Sequence, residues 1–497
     1  MWKSVPEMAK EATRVIDGAW QHASLSVGIE FQEESVRALA ELATKLEEFK
    51  KHAQAKKDED TANAAYGVCL YARGVLAFLS MWIDLKLNRL DTAWDSLIDA
   101  QNRVGCALRV QPNESFEGIN RVLHFLEKAI FPPQLFTSSG HQFRGLKCNI
   151  CDQEYGECDH VSGKLYMGVM CTRLVQEITE VDHVAIVPDP ADKHLRLPVW
   201  FEGGVVRCSL TRRLAAQEDK PTQSESQIES ASRNEDAPMS REAEPPQPST
   251  ETIWNAVLEA ISHALGLAFA TCGIELQGEA INKLADVEDR VEAFWKDARA
   301  RNNEVEANTA FVFLAWLNGA AQFLWMWLCI KQDEMEKAWD ALIEAQEHFE
   351  CGLRFAENEG LEGVVEHLHI LEHVMFPRQR FMSGGWIYDH AICTLCESVY
   401  GECDHIAGRL YMGQMCGKRP INIEVQHSSV VTHPHDKGCR IVALQDGPDF
   451  RCTLTRRVTE PVDPSVEHWQ FQATILRVSR PRGIVRVEFV ASEAEAT

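Results

Sequence analysis

The sequence predicts an α+β fold built twice in tandem, each half an antiparallel helical bundle followed by a cysteine-rich knuckle and a few short β-strands. The first observation is periodic. From residue 7 to about 130, apolar residues recur at three- and four-residue intervals, which places them on one face of successive helices. The second is a compact set of thiols and an imidazole, Cys148, Cys151, Cys158 and His160, continued by Gly163, Tyr166 and Cys171. The third is repetition. Cys393, Cys396, Cys403, His405, Gly408, Tyr411 and Cys416 restate that set at an offset of 245 residues. Gly28-Ile29-Glu30 returns as Gly273-Ile274-Glu275, Ala93-Trp94-Asp95 as Ala338-Trp339-Asp340, and Phe131-Pro132 as Phe376-Pro377. After the knuckle the offset is 244, since Arg207-Cys208 matches Arg451-Cys452, so one residue is lost in a loop. A repeat of this length is a whole domain rather than a solenoid unit.

The elements follow in order. Residues 7 to about 54 read as one long helix, or one broken at Gly28, through Ile16, Trp20, Val27, Phe31, Leu39, Leu42, Leu46 and Phe49. The charged stretch Lys50 to Asp60 closes it. A mostly apolar helix spans Asn63 to Leu87. Asp91 is the expected N-cap of a third helix. A fourth runs from about Phe116 to Ile130 and stops at Phe131-Pro132-Pro133. Four helices with short connections predict an antiparallel bundle. Beyond the knuckle, Val181 to Val187 and Val205 to Leu210 alternate as strands do.

Residues 215–250 change character, being rich in Ser, Glu, Gln and Pro, and are expected to form a disordered linker. A flexible chain of that length reaches roughly 33 Å, enough for the halves to dock or to separate. The expected domains are therefore 1–214 and 251–458, each folding alone, with a C-terminal extension over 459–497 in which Trp469 to Val490 could add a strand.

Three cysteines and a histidine in the order C-x2-C-x6-C-x-H have the donor types and closeness of a tetrahedral zinc site. The first ligand set is Cys148, Cys151, Cys158 and His160, with Cys393, Cys396, Cys403 and His405 in the second copy. The alternative puts Cys171 or Cys416 in place of the histidine. Either set is closed, leaving no open position for water or substrate, so two structural Zn2+ ions are expected. The segment resembles a zinc-knuckle pattern, C-x2-C…C-x-H-x2-G-x2-Y-x-G, of phage head-related and uncharacterised bacterial proteins. In those, too, a short strand with a Val-Pro segment follows, as Val184 to Pro190 does here. The resemblance covers about 50 residues per half and implies metal binding alone.

The chain has 497 residues, 45% of them hydrophobic, and a formal net charge of −24. That charge argues against a general nucleic-acid coat or an anionic-membrane binder. The apolar stretch Ala310 to Ile330 is long enough to span a bilayer, but its counterpart Ala65 to Leu85 carries Arg73 and Asp84. Both read as buried bundle helices. The N-terminus runs from Met1-Trp2-Lys3 into a charged helical pattern without an apolar signal core. Many of the 16 cysteines sit in apolar helical stretches, which suits a reducing compartment, so the expected location is the cytoplasm.

Two further groups stand out. His124 and Glu127 recur as His369 and Glu372, but a di-iron bundle needs two Glu-x-x-His motifs, so a hydrogen-bonded helix pair is expected. Arg207, Arg212 and Arg213, with Arg451, Arg456 and Arg457, form basic clusters at strand ends. These composition and motif readings predict a zinc-stabilised interaction or scaffold unit with a protein partner and no catalysis. A nucleic-acid-binding protein using the knuckles and arginines is the alternative, and a metal-dependent hydrolase the second alternative.

Overall fold

The periodic first region folds into five helices rather than four: α1 (Val5–Trp20), α2 (Ile29–Ala55), α3 (Glu59–Lys86), α4 (Leu90–Val110) and α5 (Glu114–Ile130). This computed structural model describes residues 2–110, 112, 114–202, 205–214, 249–434, 436–446, 449–459, 469–471 and 483–487. Of the two readings of residues 7 to 54, one long helix or one broken at Gly28, the structure has the broken one, as two helices. Ser4 caps α1, its hydroxyl accepting from the Glu7 amide, and the chain leaves the helix after Trp20. Gly28, extended at φ −54° and ψ 143°, starts α2 afresh. Asp58 caps α3 by accepting from the Thr61 amide at 3.1 Å. Asp91 is not the cap of α4. The Ala93 amide already bonds the Arg89 carbonyl at 2.9 Å, which leaves Asp91 inside the first turn, where a carboxylate favours the helix dipole.

The helix α3 packs between α2 and α4 and buries Trp82, Phe78 and Met81 completely. Two helices, Glu59–Lys86 and Glu304–Lys331, are long and apolar enough to cross a membrane, and both are mostly buried inside the packed helices.

The same element order recurs in α6 (Thr250–Leu265), α7 (Ile274–Ala300), α8 (Glu304–Lys331), α9 (Met335–Leu353) and α10 (Glu359–Met375). With these, the described residues hold ten helices and several small sheets, a mixed helix and strand architecture. The short strands expected after the first knuckle are longer than their sequence suggested. Strand β1 (Phe136–Cys148) pairs antiparallel with β4 (Arg173–Val187) in a two-stranded ribbon; β2 (Leu165–Tyr166) and β3 (Val169–Met170) form a small hairpin between them. Val181 to Val187 is thus only the far end of β4. A hairpin of β5 (Val199–Glu202) and β6 (Val205–Cys208) follows.

In the second half the ribbon is interrupted, β7 (Phe381–Ile387) pairing with β12 (Glu424–Val431) and β8 (His390–Cys393) with β11 (Lys418–Ile421). Strands β9 (Leu410–Tyr411) and β10 (Gln414–Met415) make the small hairpin. A four-stranded sheet then runs in the order β15 (Val458–Thr459), β14 (Asp449–Cys452), β13 (Ile441–Asp446), β16 (Trp469–Phe471). The expected added strand is therefore β16. Residues 483–487 lie along α7, with Ile484 donating to Glu288 at 2.6 Å and Arg486 paired to Asp286 and Asp289. The expected linker, 215–250, falls outside the described residues apart from its last two positions.

The two halves meet through reciprocal contacts. Gly28 donates its amide to the Thr455 carbonyl at 2.9 Å, and Gly273 donates to the Thr211 carbonyl at 3.0 Å. Ser26 Oγ donates to the Leu454 carbonyl, and Thr271 Oγ1 to the Leu210 carbonyl. Their amides bond the last carbonyls of the opposite helices, Met375 and Ile130. Each loop before α2 or α7 thus seats on the turn after the final hairpin of the other half, an isologous arrangement. This explains why the chain breaks at residues 21–28: that segment supplies the junction.

Candidate metal centres

Each knuckle begins with a turn that brings two thiols to one side. The Asp152 amide donates to the Cys148 carbonyl at 2.8 Å while the Cys148 amide donates to the Gln153 carbonyl at 2.9 Å. Asp152 takes the left-handed conformation (φ 59°), as does its counterpart Glu397 (φ 59°). The second lobe is pinned by Gly163, whose amide bonds the Cys171 carbonyl at 2.8 Å, and by Cys171, whose amide bonds the Lys164 carbonyl. Tyr155 and Tyr166 close the loop with their hydroxyls, accepting from the Ser162 and Val161 amides. The second copy repeats these bonds through Tyr400 and Tyr411.

The donor atoms of Cys148, Cys151, Cys158 and His160 lie within 4.8 Å of one another, as do those of Cys393, Cys396, Cys403 and His405. A buried Nδ1 on His160 and on His405 has no hydrogen-bond partner. Orphaned buried nitrogens are costly, and a coordinated ion would satisfy them. Each ring meets a tyrosine edge to face, His160 on Tyr166 at 4.6 Å and His405 on Tyr411 at 4.8 Å. The residues present therefore fit a metal ion.

The fifth donor is close as well. The Sγ atoms of Cys148 and Cys171 are 3.8 Å apart, and those of Cys393 and Cys416 3.7 Å. Metal–sulfur bonds of about 2.3 Å at tetrahedral angles give a sulfur–sulfur edge of about 3.8 Å. Burial pushes the Cys148 thiol up, but amide donors from Cys151 and Ile150 and the neighbouring thiols bring it down to about 6. Burial and the Cys148 sulfur push Cys171 up to about 11, and its sulfur stands at a distance that also suits a fourth donor.

The tip of the small hairpin anchors each knuckle to the helices. Gly168 donates to Asn63 Oδ1 at 2.6 Å, and Gly413 to Asn308 Oδ1 at 2.8 Å. Gln54 bonds the Met167 carbonyl, and Trp295 the Met412 carbonyl. A Cβ at Gly413, which has φ +73°, would sit 2.4 Å from the Ala307 carbonyl and 2.2 Å from the Trp295 ring nitrogen. Gly413→Ala is expected to cost about 1–3 kcal/mol of local strain and to undock the second knuckle while leaving its metal content intact. Hydrogen exchange at residues 410–415, rising in the variant, checks it. Sequence spacing gave Gly163 and Tyr166 but not these anchors, although Asn63 and Asn308 do keep the 245-residue offset.

The helix-borne carboxylates act as ties for the loops that follow the ribbons. Glu127 accepts from Gln101 at 2.9 Å and Lys193 at 2.6 Å, with His124 Nδ1 at 3.9 Å. Glu372 accepts from Gln346 at 3.0 Å and Lys437 at 2.5 Å, while His369 bonds Glu350 at 2.9 Å. Burial raises the Glu372 carboxyl, yet His369 and Lys437 hold it down to about 2. A depressed carboxylate stabilises above its unfolded value and loses that contribution as pH falls. Acidification from about 4.5 to 2 is thus expected to remove on the order of 2–3 kcal/mol. Glu372→Gln should flatten that limb in thermal melts across pH 2–7; an unchanged limb refutes the assignment.

The arginines serve mainly inside the molecule. Arg213 makes a bidentate pair with Glu275 across the junction, and Arg457 pairs with Asp333 at 2.7 Å and Glu30 at 3.6 Å. Arg207 donates to the Arg212 carbonyl, and Arg451 to Asp446 and the Arg456 carbonyl. Arg212 and Arg456 hold left-handed turn positions (φ 61° and 64°). Arg207 and Arg451 thus lie in strands β6 and β14 and the other four in the turns that follow, where Arg213 pairs with Glu275 and Arg457 with Glu30 of the opposite half.

Comparison with protein-family models, with curated proteins and with solved structures finds no match for the chain, so its reading rests on its own residues.

Proposed function

We propose that the chain is a tandem duplication whose two knuckles each hold one structural Zn2+, and that it acts in the cytoplasm as an interaction or scaffold unit for a protein partner. Cys148, Cys151, Cys158 and His160 would hold the first ion, and Cys393, Cys396, Cys403 and His405 the second. Zinc is favoured over harder cations because three donors of each set are thiols. A closed four-donor set gives the metal a folding role.

The observation that carries the interaction reading is the pair of β ribbons presenting apolar side chains to solvent. Phe143, Ile178, Val184 (66% exposed) and Ile186 lie on the first; Trp386 (57% exposed), Val425 and Val430 lie on the second. Apolar surface of that kind, rimmed by polar residues, marks association sites. Both ribbon edges also leave backbone groups open to strand addition.

A photo-crosslinking residue at Ile178 or Trp386, introduced in cells, is expected to trap a discrete protein, and the same residue at exposed Val305 on α8 to trap none. Absence of any adduct at either ribbon overturns the reading. Titration of labelled single-stranded RNA and DNA decides the alternative. Submicromolar binding at physiological salt, lost with Arg212, Arg213, Arg456 and Arg457 all changed to Ala, would favour a nucleic-acid partner.

A further inference from the structure

We propose that the junction of the two halves holds a binding site for a small organic anion with an aliphatic body, read by the ammonium groups of Lys86 and Lys331. A cavity of about 450 Å³ lies there, within the size range of small-molecule sites. Its walls come in pairs related by the repeat: Ile29 and Ile274, Leu85 and Ile330, Leu90 and Met335, Lys86 and Lys331, Arg213 and Arg457. Aliphatic side chains share the lining with convergent charged and hydroxyl groups, the composition of a ligand pocket rather than of a packing defect.

Charge decides which ligand suits it. Four cations line the cavity against one carboxylate, Asp333. Glu275 engages Arg213, and Asp333 with Glu30 engages Arg457. No carboxylate among the described residues lies within ion-pair distance of either lysine. Lys86 donates to the Val27 carbonyl and to Gln32 Oε1 at 2.8 Å; Lys331 donates to the Cys272 carbonyl at 2.5 Å and Gln277 Oε1 at 2.6 Å. An ammonium has three protons, so one on each lysine remains for a ligand. Two ammonium groups without a directly paired carboxylate suit an anionic head, and the Ile and Leu side chains of the lining suit its aliphatic tail.

The protonation states agree with this geometry. Burial pulls Lys86 down to about 7, with Asp333 and Glu30 opposing and Arg457 assisting. Burial pulls Lys331 down to about 8, with Glu275 opposing and Arg213 assisting. Cys272 is itself pushed up by burial to about 11 and stays neutral. An anion binds the protonated lysines, raises their proton affinity, and is therefore held more weakly as pH rises from 6 to 9.

The test is calorimetry of the full chain with octanoate, with octanamide and inorganic phosphate as controls. Octanoate is expected to bind one per chain, at least tenfold more tightly than either control, and tenfold or more weaker at pH 9 than at pH 6. Octanamide matching octanoate means an apolar hole without charge reading, and phosphate matching it means an ion site without a body; either result overturns the proposal. Lys86→Met and Lys331→Met should each weaken octanoate at least tenfold, and binding unchanged in a folded variant places the ligand elsewhere. Since each lysine also ties a loop carbonyl and its loss could unfold the chain, the wild-type protein supplies a second readout. At pH 8.5 octanoate binding must take up protons, seen as a dependence of the heat on the ionisation enthalpy of the buffer. No binding, or binding without uptake, refutes the assignment.

Discussion

Stripping metal from the purified chain with a strong chelator is expected to release two zinc ions and to unfold both knuckles while leaving the helices in place. The effect is large because a loop of some 24 residues, Cys148 to Cys171, has almost no core of its own. Only Cys148, Gly168 and Cys171 in it are buried, and its order comes from turns, two tyrosine hydroxyls and the donor cluster. Structural zinc contributes about 10–16 kcal/mol in finger peptides at neutral pH, far more than those few hydrogen bonds can supply. Elemental analysis should give two zinc ions per chain. Hydrogen exchange should then show lost protection over 149–172 and 394–417 but not in the helices α3 and α8, whose cores lie elsewhere. The ligand set is tested in the same preparation. His160→Ala and His405→Ala are each expected to lower the content to one, and Cys171→Ala and Cys416→Ala to keep two. The reverse outcome would establish the four-cysteine sets, and no zinc at all would remove the metal reading.

Much of this architecture was legible in the sequence, and the reason differs from element to element. Helices α3 to α5 were readable because their apolar periodicity is strong and the stop at Phe131-Pro132-Pro133 is a local signal. A break was signalled by Gly28 but not its length, since residues 21–28 leave the helix to bond Met375, Leu454 and Thr455, which are remote in sequence. The ribbon formed by β1 and β4 was missed for a related reason. Phe136 to Cys148 carries Gly140, Gly145, Arg144 and Lys147, a pattern with little strand propensity of its own, and its partner strand supplies the pairing. The donor cluster was plain because metal ligation demands particular residue types at short spacing. The junction lysines were invisible as a site: a lysine ending an apolar helix reads as a favourable C-terminal charge, and only the docking of the halves turns two such lysines toward one cavity.

Severing the chain between the halves is expected to leave them joined. When residues 1–214 and 249–497 are produced as separate chains in one cell, they should copurify as a one-to-one complex and stay together on size exclusion at micromolar concentration. The reciprocal contacts account for this. Hydrogen bonds from Ser26, Gly28, Thr271 and Gly273 tie their loops to the opposite half, and α5 packs on α10 with Phe125 against His367 at 5.0 Å. Burial drives His367 down to about 4, so it sits at that contact as a neutral ring at physiological pH. The apolar core is also continuous from one half into the other, as in a stable interface rather than a loose domain contact. Each half carries its own helices, knuckle and hairpin, so each is expected to fold alone and to expose that apolar surface until its partner covers it. Replacing Gly28 and Gly273 together by Pro removes the two amides that bond Thr455 and Thr211, and should weaken the complex by at least tenfold. Two separate, well-behaved monomers at micromolar concentration would show that the halves are independent units, and the junction cavity with its lysines could then not be a standing site.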